Sequence, residues 1–190
     1  ILTFPFLRYH HNNTEDNVRK LNMGILPSNY EVPQSGSGDL YVKLQPGENR
    51  FRILEAPTTG FIVWKDKQPT RYKAKADVPA GSEDVKHFWF VPVWMDDKVC
   101  FLEISQKTVI SELAFLDQNE DWGSLTDYDV LVHREGELKE TKYRVQPVPK
   151  RALKKDAVEQ WKSMKPNYKP ENLFSDDGVV YTVEAAEDDG

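Results

Sequence analysis

From residue 40 onward, short strand-like runs are separated by turn-forming residues; apolar and polar residues alternate in several of these runs, whereas the run 86–95 is apolar on both faces. Phe51 and Ile53, for example, alternate with Arg50 and Arg52. The runs cover residues 49–54, 60–64, 69–73, 86–95, 99–104, 128–134 and 142–148. Alternation with a period of two, bounded by Gly, Pro, Asn and Asp, predicts short β-strands. We therefore expect a mainly β protein.

One helical pattern interrupts the strands. Ser105 is a candidate N-cap, and Val109, Ile110, Leu113 and Leu116 follow it at helical spacing. The order is three strands, a helix and two strands, with extra strand material around a charged bend at 65–68. This order predicts an OB-fold, a five-stranded barrel with a helix between strands 3 and 4.

Three regions follow from these patterns. Residues 1–39 read as a flexible N-terminal arm, 40–153 as the OB-fold domain, and 154–190 as a short helix followed by an acidic tail. We expect Trp161 of that helix to pack back on the barrel. Met23 is a candidate native initiator, which would place residues 1–22 upstream of the start.

The charge distribution decides which partners this domain can have. The net charge of -6 on its own argues against a nucleic-acid partner. However, residues 41–154 hold 18 Lys and Arg against 18 Asp and Glu, whereas residues 155–190 hold 4 against 9. The acidity is concentrated in the tail, so the domain is free to carry a cationic groove.

Hydropathy and cysteine content narrow the class of protein. No apolar run approaches the roughly 20 residues of a membrane-spanning helix, so we expect no membrane partner. The apolar segment 1–7 lacks the flanks of a signal peptide, which favours a cytoplasmic location. Cys100 is the only cysteine and lies in an apolar run typical of a core. It excludes an internal disulfide and a multi-cysteine zinc site.

Aromatic and basic residues coincide on the strands expected to form the binding face. Binding of a single strand requires cations along the backbone and flat side chains on which bases stack. We predict stacking by Trp64, Phe90, Trp94 and Phe101, and phosphate binding by Arg50, Arg52, Lys65, Lys67, Arg71, Lys73 and Arg144. This interpretation points Phe88, Phe90 and Trp94 outward. The opposite phase, or rings covered by the tail, fits the same pattern.

No catalytic site is predicted, and we expect no enzyme and no cofactor. The acidic residues Asp117, Glu120, Asp121, Asp127 and Asp129 lack His partners and a calcium-loop pattern, so we interpret them as a solvated loop. The sequence contains no nucleophile elbow, phosphate loop or dinucleotide fingerprint.

Several motifs in order carry a family resemblance. They are MGILPSNYEVP at 23–33, PGENRFRIL at 46–54, HFW at 87–89, LEISQKT at 102–108, DWG at 121–123 and YD at 128–129. Over residues 23–153 the chain resembles a family of phage single-stranded DNA-binding proteins. The structural zinc of some phage binders, held by one His and three Cys, cannot form here. The terminal EDDG also lacks the final aromatic residue of bacterial single-strand binders.

The resemblance implies an OB-fold that coats single-stranded DNA during phage replication and recombination, without a cofactor. The acidic tail, residues 171–190, is expected to compete with DNA for the groove and to be released to replication or recombination proteins. A merely solubilising tail remains an alternative. Two other functions also remain open: an OB module that binds protein, and a single-stranded RNA binder.

Overall fold

The computed structural model describes residues 40–175 and 177–183 of the chain. The chain divides into two units, Ile1–Pro33 and Gln34–Gly190, and every described residue belongs to the second unit. The predicted arm and its candidate start lie outside the described residues. The end of the tail, residues 184–190, lies outside them as well.

Strands dominate the described part of the chain, as predicted. They are β1 (Tyr41–Val42), β2 (Gly47–Ile53), β3 (Thr58–Lys65), β4 (Gln68–Tyr72), β5 (Lys86–Met95), β6 (Lys98–Ile104), β7 (Val130–Glu135) and β8 (Lys142–Pro147). The helices are α1 (Lys107–Gln118) and α2 (Lys155–Met164), and short 3-10 turns span Lys75–Asp77, Leu138–Glu140, Lys165–Asn167 and Pro170–Phe174. Among the described residues, no helix has the length and apolar character needed to cross a membrane.

Tight turns connect β3 to β4 and β5 to β6. Asp66 and Lys67 have φ values of 50° and 64°, and Asp96 and Asp97 have φ values of 51° and 56°. Positive φ at both central residues is required by a type I′ turn, whose twist matches that of the flanking strands. Asp adopts this conformation more readily than most residues. The runs 86–95 and 99–104, interpreted as strands from the sequence, are thus joined by a turn into the antiparallel pair β5 and β6.

The strands form one mixed sheet in which β2 is shared by two halves. The sheet order is β1-β6-β5-β2-β7-β8, with β3 paired to β5 and β4 paired to β3. Residues 47–51 of β2 pair with β7, whereas Arg52 and Ile53 pair with Trp94 and Val93 of β5. The end of β2 therefore brings residues from both halves together.

The sheet is not closed into the predicted five-stranded barrel. One edge of β6 pairs with β5, and the short strand β1 pairs in parallel with its other edge at Phe101 and Leu102. Within the described part of the chain, β8 pairs with β7 alone. Since β1 occupies the edge of β6, the two ends of the sheet do not meet.

Helix α1 covers one face of the sheet. Val109, Leu113 and Leu116 are buried at helical spacing, which confirms the predicted helix, but its N-cap is Gln106 and not the expected Ser105. They pack against inward side chains of β2, β5, β6 and β7. Cys100 is buried in the same core, as predicted.

The opposite face of β5 and β6 is covered by residues 155–175 and 177–183, which we call the C-terminal cover. Trp161 of α2 is buried against this face, which confirms its predicted packing. From its acidic composition we interpret the segment after this helix as a solvated tail, and this interpretation is wrong for most of the described residues beyond α2. Leu173 and Val180 are buried with Phe88, because an apolar strand face was available to them.

Candidate nucleic-acid interface

Three arginines converge on the carboxylate of Asp129, immediately before β7. Arg50 and Arg52 share a face of β2 because alternate residues of a strand point the same way, and Arg151 follows β8. Arg50 Nε lies 2.9 Å from Asp129 Oδ2, and Arg52 Nε lies 2.9 Å from Oδ1. Arg151 Nη2 lies 2.6 Å from Oδ2. We call these four residues the Asp129 cluster.

The Asp129 cluster has a buried side and an exposed side. The Arg50 and Arg151 side chains are 43% and 54% exposed. Burial acts to raise the pKa of the Asp129 carboxyl, but the hydrogen bond from Arg50 and the charges of Arg52 and Arg151 outweigh it. The pKa of Asp129 therefore lies below its ordinary value. With one carboxylate against three guanidinium groups, the cluster carries two surplus positive charges at neutral pH.

Arg52 is the structural member of the cluster. Its side chain is only 2% exposed, and its Nη1 donates hydrogen bonds of 3.2 Å to the carbonyl oxygens of Thr126 and Arg151. In this conformation Arg52 cannot offer its guanidinium to a phosphate, which contradicts the sequence-based role. Arg52 instead holds Asp129 and the chain around Arg151 in place.

Trp94 stands beside the Asp129 cluster. It pairs with Arg52 across β5 and β2, so both side chains lie on one face of the sheet. Trp94, Arg50 and Arg151 line a cleft of about 200 Å³. Lys154, also at this cleft, places its Nζ 2.7 Å from Asp97 Oδ1. An indole ring and partly exposed guanidinium groups therefore share one concave surface.

The outward face of β7 and β8 continues this surface. Arg50 lies opposite Leu131, and Leu131 lies opposite Gln146. The next row pairs His133 with Arg144. Directly opposite residues of antiparallel strands share a face. The exposed Arg144 therefore lies on the same side of this half of the sheet as Arg50, as its predicted role requires.

The β3–β4 hairpin carries a second group of candidate residues. Trp64 is 49% exposed at the end of β3. Lys65 and Lys67 are exposed beside it, around the turn. A solvent-exposed ring next to two ammonium groups is the combination that single-strand binding uses.

Two predicted phosphate-binding residues on this hairpin make contacts within the protein. Arg71 Nη2 lies 2.8 Å from Glu103 Oε2, and the Arg71 guanidinium lies 5.8 Å from the centroid of the Phe88 ring. Lys73 Nζ lies 5.5 Å from the centroid of the Phe174 ring. Arg71 is thus neutralised by an ion pair, whereas Lys73 stays exposed on the rim of the C-terminal cover.

Phe90 and Phe101 are not available for stacking on DNA, in contrast to the sequence-based expectation. Their exposed fractions are 3% and 1%. The Phe101 ring stacks on Tyr168 of the C-terminal cover, with centroids 5.2 Å apart. As expected, the side chains of Phe90 and Phe101 lie on the face of the strands that points away from the α1 core. The C-terminal cover, however, occupies this face.

Sequence reasoning missed the contribution of the segment after β8. Arg151 completes the Asp129 cluster, and Lys150 lines an adjoining cleft with Arg52. Both belong to the basic run KRALKK at residues 150–155. This run was the available signal, but it begins where the alternating pattern ends.

The acidic residues between α1 and β7 separate in the structure. Asp129 joins the arginines, whereas Asp117 Oδ1 accepts a hydrogen bond of 3.1 Å from the backbone N–H of Leu125. In the part of the chain that the structure describes, no group of three or more His, Cys, Asp or Glu is placed to hold a metal ion.

Comparisons of this chain with protein-family models, with curated proteins and with solved structures found no match. What the protein does must therefore be inferred from its own residues and their geometry.

Proposed function

We propose that this protein binds single-stranded DNA with little sequence preference and catalyses no reaction. The observation that carries the proposal is the Asp129 cluster beside Trp94, where two partly exposed guanidinium groups adjoin an indole ring. Guanidinium groups bind phosphate oxygens strongly. Aromatic rings stack exposed bases, at about 1 to 3 kcal/mol per base and with tolerance of sequence.

Each member of the surface has a distinct task in this proposal. Arg50 and Arg151 contact successive phosphates, and Asp129 fixes the direction of both guanidinium groups. Trp94 stacks a base. This base lies between the two guanidinium groups and the β5–β6 turn. Arg144 extends the cationic track along β8, on the side of the sheet that carries Arg50.

The order of the elements supports an OB-fold assignment for this module. β2, β5 and β6, then α1, then β7 and β8 follow the chain order of that fold, and β2 pairs with both β5 and β7. The β3–β4 hairpin then lies in the connection between the first two strands, a loop that OB-folds use to bind oligonucleotides. This assignment favours Trp64, Lys65 and Lys67 as a second contact.

The biological role that we propose is coating of single strands during phage replication and recombination, in agreement with the family resemblance. The acidic segment from Glu171 onward is the proposed contact for partner proteins. Within it, Glu171 and Asp177 are exposed while Leu173 and Val180 are buried. The carboxylates of Glu171 and Asp177 therefore face solvent, while apolar residues of the same segment pack against the sheet.

Fluorescence titration with a labelled oligothymidine, its duplex and a matched RNA, each at two salt concentrations, tests this proposal. We expect tight, salt-sensitive binding of the DNA single strand. Replacing both Arg50 and Arg151 by Gln should weaken binding at least tenfold. The double variant should also lower the slope of log affinity against log salt by about 1.4, since each phosphate contact on a single strand contributes about 0.7.

The matched control replaces Lys107 and Lys162 by Gln, which removes the same charge from exposed positions on α1 and α2. It should change affinity and salt slope much less. A tighter complex with RNA would favour the RNA-binding alternative. No binding of any strand by the folded protein would refute the proposal and favour the protein-binding module.

A further inference from the structure

A second cleft, of about 370 Å³, opens between the end of β2, α1 and the loop before β7. Its apolar walls include Ile53, Trp89 and Leu125. Ile53 and Leu125 are buried, so these walls are fixed by the core, whereas Trp89 is only partly buried. The volume lies in the range of pockets that hold small organic groups.

The rim of this cleft carries hydrogen-bonding groups. Asp117, Ser124 and Thr126 line it. The Asp117 carboxylate pins the lip of the cleft through the backbone N–H of Leu125, and the hydroxyls of Ser124 and Thr126 lie 2.8 Å apart on the exposed side. Apolar walls below a few polar groups are typical of a site for a flat, heteroatom-bearing ring.

The cleft adjoins the surface of the Asp129 cluster through one residue. Thr126 lines both this cleft and the cleft that contains Lys150 and Arg151. The Thr126 carbonyl also accepts the hydrogen bond from Arg52 Nη1 that ties the two regions together. Thr126 therefore joins the surface at Arg151 to the cleft that contains Trp89.

We propose that this cleft receives one unstacked nucleobase of the strand whose phosphates lie on Arg50 and Arg151; the inference rests on the proposed function. The carboxylate of Asp117 and the apolar walls disfavour a phosphate in the cleft. A base fits both features, because its ring packs on Trp89 while its edge donates to and accepts from the rim. An anchoring side chain of a partner protein is the competing occupant.

The test compares oligothymidine with an abasic oligomer of equal length, which has the same phosphates but no bases. The affinity for oligothymidine divided by the affinity for the abasic oligomer measures what the bases contribute to binding, whichever register the strand adopts. Two variants add bulk to the lining of the cleft on different elements: Ala114→Leu on α1, where Leu suits a helix, and Ala56→Leu in the exposed loop after β2. Ala76→Leu, at an exposed position in the Lys75–Asp77 turn, is the control.

We expect each cleft variant to lower this ratio at least fivefold while its affinity for the abasic oligomer stays that of the wild type. The control should leave both affinities unchanged. Thermal unfolding shows which of the two cleft variants is folded. One folded variant is enough to test the base pocket. An unchanged ratio in a folded cleft variant would overturn the base pocket while leaving the proposed function intact. Failure of the wild type to bind oligothymidine would instead overturn both.

Discussion

The Nε atom of Arg52 donates a hydrogen bond of 2.9 Å to Oδ1 of Asp129, and only 2% of the Arg52 side chain is exposed. A buried guanidinium is tolerated only when a counter-charge and hydrogen-bond acceptors surround it. The same carboxylate binds the two exposed arginines. Asp129 therefore links the stability of the domain to the geometry of its proposed binding surface.

Replacement of Asp129 by Asn should lower the free energy of unfolding by about 3 kcal/mol, because it leaves the buried charge of Arg52 uncompensated. Urea denaturation monitored by fluorescence measures this loss. Asp127→Asn removes an exposed carboxylate nearby and should cost less than about 0.5 kcal/mol. Equal losses in the two variants would contradict the role assigned to Asp129.

The lowered pKa of Asp129 predicts that part of the stability depends on pH. In the folded protein Asp129 stays ionised to lower pH than in the unfolded chain, where its carboxyl has the ordinary pKa of 3.8. Its contribution is therefore complete above that value and is lost as pH falls through the folded pKa. The stability difference between wild type and Asp129→Asn should be constant from neutral pH to about pH 5 and shrink below about pH 4. A difference that persists unchanged in strong acid would exclude this linkage.

Trp161 should anchor the C-terminal cover to the sheet. Its side chain is buried between the C-terminal cover and the outward face of β5 and β6, so Trp161→Ala should cost about 3 to 5 kcal/mol of unfolding free energy. Val158→Ala on the same helix is the control, because Val158 is 49% exposed. Chemical denaturation of both variants should separate them clearly; a small loss for Trp161→Ala would mean that the cover adds little to stability.

Trp64 should contribute to DNA affinity without contributing to stability. Its ring is half exposed, so Trp64→Ala should leave the unfolding midpoint almost unchanged while it weakens oligothymidine binding about fivefold or more. Phe115→Ala removes an even more exposed ring from α1 and should not affect binding. Similar affinities for these two variants would remove the β3–β4 hairpin from the binding surface.

The thiol of Cys100 should be inert in the native protein. Burial is the main cause that raises the pKa of Cys100 to about 11, and the side chain lies in the core beneath α1. At pH 8 a disulfide reagent should label Cys100 only as fast as the protein unfolds, and at once in urea. Rapid stoichiometric labelling of the native protein would show that this core opens.

The strand framework was predictable from sequence because its signals are local. The acidic turn at Asp96 and Asp97, with an apolar strand-like run on either side, predicts strands whose bounds lie within a residue or two of the observed ones. The apolar stripe of α1 likewise gave the helix. Each of these features depends on neighbours along the chain, so single-sequence patterns contain them.

The candidate site was less predictable because its contacts are distant in sequence. β5 is apolar on both faces, so alternation could not tell whether Phe90 meets water or another layer. Phe90 is buried because Trp161 and Tyr168 of the C-terminal cover pack on the same face of the sheet. Arg151 escaped notice for a similar reason: its partner Asp129 is 22 residues away and in another element.

Because β2 pairs with both β5 and β7, its two edges find their partners at different times during synthesis. The Asn49 side-chain amide donates to the carbonyl of Val132, a residue made 83 positions later. At about 5 to 20 residues per second, the ribosome takes roughly 4 to 17 seconds to supply that partner. Until then one edge of β2 has no β7 to pair with. The β2–β7 half of the sheet therefore cannot form until late in synthesis, and until then this edge of β2 is open to pairing with another strand.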